Sequence, residues 1–255
     1  MGISHIVMGV NSIDDGEARL LHQGFTKSHR RDAVENPVQK MPFAASPLST
    51  HHDIGLYNPR TVGPTIELVH PTGGAPQLAP TSAMSLFLSD APIADKPTLE
   101  QAFTEFATFP ELPGLYFDPA GASRIPQAVA IHVHDLAGAH AFWDIIGVSA
   151  SVIDGKAMAL DIRGILPKGS LKVFVLENQA MPPASHLDGN GIACLALLCK
   201  DAHALHKNYD AAGFEVSEML AFAPFNHDLD IFFVRNNTHE MYEFVSIRRA
   251  GTTSS

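Results

Sequence analysis

The sequence predicts an α+β fold built from tandem βαβββ modules, whose curved mixed β-sheets surround a cleft. Three observations lead to it. An apolar strand pattern, a polar helix-start signal and a short helical pattern stand together in residues 4–23, and the same order returns at 127–146 and at 191–212. Gly24, Gly147 and Gly213 follow the three helical patterns, as helix-ending glycines do. Further strand-like runs come after each helix before the unit begins again, and repetition of one supersecondary unit is the strongest sign of organisation in the chain.

Size and composition set the bounds. The 255 residues suffice for one large domain or two ordinary ones with real cores, and 45% hydrophobic against 17% charged residues indicates a compact, rather apolar protein. A net charge of −10 argues against binding nucleic acid or an anionic membrane surface. No apolar run reaches the roughly 18 residues of a membrane span, and the first residues lack the pattern of a signal peptide. Cys194 and Cys199 are separated by an odd number of residues within one strand pattern, so they face opposite ways and predict two free thiols. The expected compartment is therefore reducing, hence cytoplasmic. There is no CxxC pair, phosphate-binding glycine loop or GxSxG elbow, which removes the usual support for several enzyme classes.

In the first module (1–74), residues 4–10 are apolar on both faces, with His5, Val7 and Gly9 on one side and Ile6 and Met8 on the other. A histidine in such a strand is more often a satisfied core residue than a metal ligand. Asn11 to Asp15 start a helix that runs to Gln23. A strand at 25–34 carries the basic cluster Lys27, His29, Arg30 and Arg31, and a proline-interrupted loop covers 35–49. Residues 51–57 and 64–69 read as strands. Glu67 is a lone carboxylate in the second of them and requires a cation, a metal or a hydrogen-bond donor.

Residues 75–120 read as a degenerate module, with a strand at 83–88 and a helix at 98–108, running into a proline-rich linker. The third module (127–180) has its strand at 127–136, its helix at 137–146, and strands at 148–153, 157–162 and 171–176. The fourth (189–248) has a strand at 191–199, a helix at 201–212, and strands near 214–222, 229–234 and 241–247. The modules pair by sequence into an N-terminal half, 1–120, and a C-terminal half, 121–250, followed by a tail, 251–255, expected to be disordered.

This frame resembles the vicinal oxygen chelate superfamily, whose members include glyoxalase, methylmalonyl-CoA epimerase, extradiol dioxygenases and bleomycin-resistance proteins. The resemblance is carried by residues 5–13, 65–70, 131–147, 189–201 and 242–246. Gly189 to Leu197 are similar to the corresponding strand of the 4-hydroxyphenylpyruvate dioxygenase group. The resemblance implies metal ligands at a His or Gln early in a module's first strand and at a Glu in its last. His5 and Glu67 match in the first module. The third has Ala128 and Phe174 there, and the fourth Cys194 and Glu243. A dioxygenase site drawn from the last two modules is thereby broken, since alanine cannot ligate. Pairing of the first module with the fourth instead brings His5, Glu67 and Glu243 into one cleft, with Cys194 or water beside them. Such a set suits Fe, Mn, Ni, Co or Zn. The alternative keeps the cleft without a metal.

Further candidates stand beside plainer readings. His132 shares a face with Ala128 and Ala130, so it points into a cleft or is an ordinary structural histidine. His227, with Asp228, forms either an acid–base pair or a turn. His52 and Tyr57 occupy a strand that faces substrate in the resembling proteins, although Tyr57 also suits a core. Cys194 is a substrate contact, a ligand, or a small buried residue. The basic cluster meets an acidic substrate or coats an edge strand. The function implied is a small-molecule enzyme of lyase, isomerase or epimerase character, in which Glu243, His132 and His227 serve proton transfer. A ring-cleaving dioxygenase is the runner-up, and a ligand-sequestering protein is the alternative of another class. The partner is a small molecule, and a homodimer is open to the chain.

Overall fold

Four repeats form two mixed β-sheets in the computed structural model, which describes residues 2–45, 50–60, 63–72, 83–121, 125–163, 170–178, 185–223 and 228–248. The tail at 251–255 lies outside these described residues.

The first repeat contains β1 (Gly2–Gly9), α1 (Ile13–His22), β2 (Thr26–Glu35), a 3₁₀ helix (Val38–Phe43), β3 (His51–Asn58) and β4 (Thr65–Thr72). Helix α1 starts where the Ser12 hydroxyl accepts from the Asp15 amide, with Asp14 and Asp15 in the positive first turn. Gly24 follows it with φ of +90°, a conformation that favours glycine.

The second repeat is β5 (Met84–Ser89), α2 (Lys96–Glu105), β6 (Ala107–Phe109) and β7 (Leu112–Phe117). A capping box between Asp95 and Thr98 sets the start of α2. The helix ends at Glu105, short of the expected Thr108, because Phe106 is already extended and leads into β6. The proline-rich stretch hides β6 and β7 from sequence reading. Pro113 falls outside the paired positions of β7, so its missing N–H breaks no ladder bond.

The third repeat is β8 (Ile125–Val133), α3 (Leu136–Ile145), β9 (Ala150–Asp154), β10 (Ala157–Arg163) and β11 (Ser170–Glu177). The fourth is β12 (Gly191–Leu198), α4 (Ala202–Ala211), β13 (Glu215–Val216), β14 (Leu220–Phe222), β15 (Leu229–Arg235) and β16 (Met241–Ile247).

The first repeat pairs with the fourth and the second with the third. One sheet runs β13-β15-β16-β12-β1-β4-β3-β2 with β14 on β15, and the other runs β6-β7-β5-β8-β11-β10-β9. Each sheet is therefore built from both halves of the chain. Opening strands meet antiparallel at the centre, β1 against β12 and β5 against β8. Each opening strand also lies parallel to the last strand of its own repeat. The central junction is tight: a Cβ added at Gly9 would lie 1.7 Å from the Gly189 carbonyl oxygen.

One core is shared by both sheets and the helices, and it takes Ile6, Met8, Leu68, Leu86, Val129, Leu195 and Phe244. Phe142 of α3 stacks on Tyr242 of β16 at 4.5 Å and packs against Tyr209 of α4 at 4.8 Å, joining the two sheets. Smaller clusters line the opposite face of each sheet. Cys194 lies in one of these and Cys199 in the shared core; both are free thiols facing opposite ways, as the odd spacing requires. No helix among the described residues is long and apolar enough to cross a membrane.

Candidate functional site

On the open face of the nine-stranded sheet, the alternation of β1 turns His5 and Val7 away from the shared core. The neighbouring strands bring carboxylates to the same place. His5 Nε2 lies 3.3 Å from Glu67 Oε2 of β4 and 3.5 Å from Glu243 Oε2 of β16, with side-chain exposures of 18%, 18% and 8%. Burial works against charge on His5, yet the hydrogen bond and charge of Glu243, with the charge of Glu67, raise its pKa above the ordinary value. Burial also works against ionised Glu243, but His5 and the Lys40 ammonium hold its carboxyl below the usual range. The buried Cys194 thiol is pushed well up, by desolvation first and by Glu243 next, and stays protonated.

Strand register shows how the repeat distributes these side chains. Glu67 lies opposite Val7, two residues after His5, and Glu243 lies opposite Ala196, two residues after Cys194. Cys194 therefore occupies in the fourth repeat the place of His5 in the first. The other sheet follows the same rule. Phe174 is opposite Ala130 and Tyr116 is opposite Phe87, so its four equivalent positions are Ser85, Tyr116, Ala128 and Phe174. That face is filled by aromatic packing, with Phe87 stacked on Tyr116 at 4.8 Å and Phe103 of α2 against both. Of the two sheet faces, the donors collect on one.

A cavity of about 380 Å³ opens over His5, Glu67 and Glu243. Behind it, a chamber of about 30 Å³ is lined by Asn36, Lys40, His52, Glu67, Asp188 and Glu243 among others, enough space and polarity for a water. Lys40, His52, Glu67 and Glu243 line both spaces. Lys40 comes from the 3₁₀ helix, with its Nζ 5.2 Å from the centre of the Phe233 ring. Sequence reading treats this segment as a plain loop and misses it. The only signal was a lysine among prolines, which has no periodicity to place it.

The other expected residues divide. His52 does face the cleft, and burial first, then Lys40, lowers its pKa to about 4, so it is neutral. Tyr57 does not reach the cleft, which corrects its reading as a substrate contact. Its odd position in β3 turns it to the core side, where it is fully buried and its hydroxyl donates to Glu17 Oε2 at 2.5 Å. His132 is also corrected as a partner of Glu243: it sits on β8 in the other sheet, with its ring 5.7 Å from Phe103 and its pKa lowered by burial. His227 lies outside the described residues. The basic cluster splits as well. Lys27 and Arg30 pair with Glu17, Asp14 and Asp32, while His29 and Arg31 line the cleft.

One imidazole and two carboxylates match a borderline divalent ion in donor type. Among the described residues, however, no three His, Cys, Asp or Glu side chains form a ready metal cage. Instead, His5 Nε2 lies within ion-pair reach of both carboxylates.

Compared by sequence, the chain matches no family model and no curated protein. Compared by structure, it is similar to glyoxalase I from Zea mays. A single-substitution variant of that enzyme superimposes with a TM-score of 0.61 at 14% identity, over 96% of this chain and 93% of the other. The unsubstituted enzyme gives 0.58 at 14% identity, over 96% and 92%. A Bacillus subtilis protein assigned provisionally as a dioxygenase gives 0.61 at 12% identity, over 98% and 86%. The chain thus shares the fold of these proteins, tandem βαβββ modules in mixed sheets, along nearly its whole length.

Proposed function

We propose that this chain is an enzyme of the vicinal oxygen chelate type that moves a proton on a small organic substrate, with lyase, isomerase or epimerase character. The observation that carries this reading is the His5 imidazole held between Glu67 and Glu243 on the wall of a substrate-sized cavity. Glu67 is the more exposed carboxylate and takes the proton from a carbon next to a carbonyl. Glu243 is buried, keeps His5 protonated and aims its ring. Protonated His5 then donates to the substrate oxygen that gains charge as the enolate forms. In place of the Nε2 proton, a divalent ion held by neutral His5 with Glu67 and Glu243 would supply Lewis-acid stabilisation of that enolate. Leu220, Phe222, Leu229 and Ile231 give the cleft an apolar lining on β14 and β15, which lowers the local polarity and strengthens each of these interactions. Two free thiols suit a cytoplasmic enzyme.

The test is proton exchange. The full chain is incubated in D₂O with a panel of 2-hydroxy and 2-oxo carbonyl compounds, with and without Mn, Fe, Ni, Co or Zn, and loss of the α-proton signal is followed by NMR. Exchange by the wild type that falls about 100-fold or more in Glu67→Gln supports the reading. Absence of exchange across the panel, or exchange unchanged in Glu67→Gln, overturns it.

A further inference from the structure

The cleft has a third chemical feature besides its imidazole–carboxylate group and its apolar wall. Lys40 makes no ion pair within 4 Å among the described residues, although it lines the same cavity as Glu67 and Glu243. Both carboxylates have His5 Nε2 as their near partner, which leaves the ammonium resting on the Phe233 ring. A half-buried cation with an aromatic ring beneath it and an open cavity before it favours an anion. The cavity also has an apolar lining, from Leu220 and Phe222 of β14 and from Leu229 and Ile231, which share the face of β15 with Phe233, and Phe222 is 46% exposed. We infer that the cleft selects a small organic acid, with the carboxylate of the ligand held by Lys40 and its apolar body laid against β14 and β15. This rests on the reading of the cleft as the active site. The cavity of about 380 Å³ accommodates a ligand the size of an aryl-substituted acid.

The probes are 3-phenylpropanoate, the alcohol 3-phenylpropan-1-ol, and acetate, titrated into the full chain by calorimetry, with the His52 ring signals followed by NMR. The acid is expected to bind about tenfold or more tighter than both the alcohol and acetate, and to shift His52. Lys40→Met loses the preference for acid over alcohol, and Lys40→Arg keeps most of it. Lys40→Gln replaces the methionine variant should that one not fold. Equal binding of acid and alcohol overturns the inference, as does no binding of any probe, a preference that survives Lys40→Met, or binding that leaves His52 unshifted. The same titrations on Glu67→Gln separate the two readings. A preference for acid retained there stands whether or not proton transfer is found.

Discussion

Glu243 shows how one residue carries both structure and chemistry. It is buried on β16, and its charge is tolerated because His5 and Lys40 offset the desolvation. In Glu243→Gln the amide oxygen still accepts from His5 Nε2, and His5 is free to lose its proton. The variant is therefore expected to melt within a few degrees of the wild type while losing one to two orders of magnitude in proton exchange and in any divalent-ion affinity. Paired thermal melts and exchange rates check this. Glu240 behaves oppositely. It is fully buried, accepts from the Thr238 hydroxyl, and burial raises its pKa from 4.5 to about 7. A raised carboxyl favours folding below its unfolded value, and that contribution is lost as pH rises toward the folded value. Between pH 4.5 and 7 the protein should lose on the order of 3 kcal/mol from this group. Urea melts at pH 5 and pH 8 are expected to show that loss in the wild type and little of it in Glu240→Gln.

At the scale of elements, the caps and glycines are local devices. Ser12, Asp95, Asp135 and Asp201 each accept from a first-turn amide of their helix, and Gly24, Gly147 and Gly213 follow three of those helices with positive φ. These signals depend on neighbours in sequence, so they are readable there. The aromatic joint between helices is not. Phe142 touches Trp143, Tyr209, Phe214 and Tyr242 with no exposed surface, linking α3 beside one sheet to α4 and β16 of the other. Phe142→Ala leaves a cavity at that joint and is expected to destabilise the whole chain by about 3–5 kcal/mol, read from denaturant melts. Separate melting of two halves would contradict this.

For the whole molecule, the pairing of repeats matters most. β1 finds its antiparallel partner in β12, and β5 finds its own in β8, so each sheet closes only when both halves are present. Residues 1–120 expressed alone expose both opening strands as bare apolar edges. That fragment is expected to aggregate or lack cooperative melting, and to gain structure on addition of residues 121–255, as followed by circular dichroism. A stable, monomeric, cooperatively folding 1–120 fragment would contradict the dependence.

The sequence by itself determined the repeated strand–helix frame and the opposite-facing cysteines, because both follow from periods of 2 and 3.6 residues, while His5, Glu67 and Glu243 were singled out by what the superfamily resemblance implies. Only the tertiary structure decided that the first repeat joins the fourth, placing Cys194 at the position equivalent to His5 and leaving His132 on the other sheet. The reason is that strand partners are chosen by contacts across nearly the whole chain, which no local pattern encodes. Lys40 reaches the cleft from an irregular segment for the same reason. Its segment is tied down where Phe43 packs on Phe233, an aromatic contact between residues 190 positions apart, and the Lys40 ammonium lies over that same Phe233 ring.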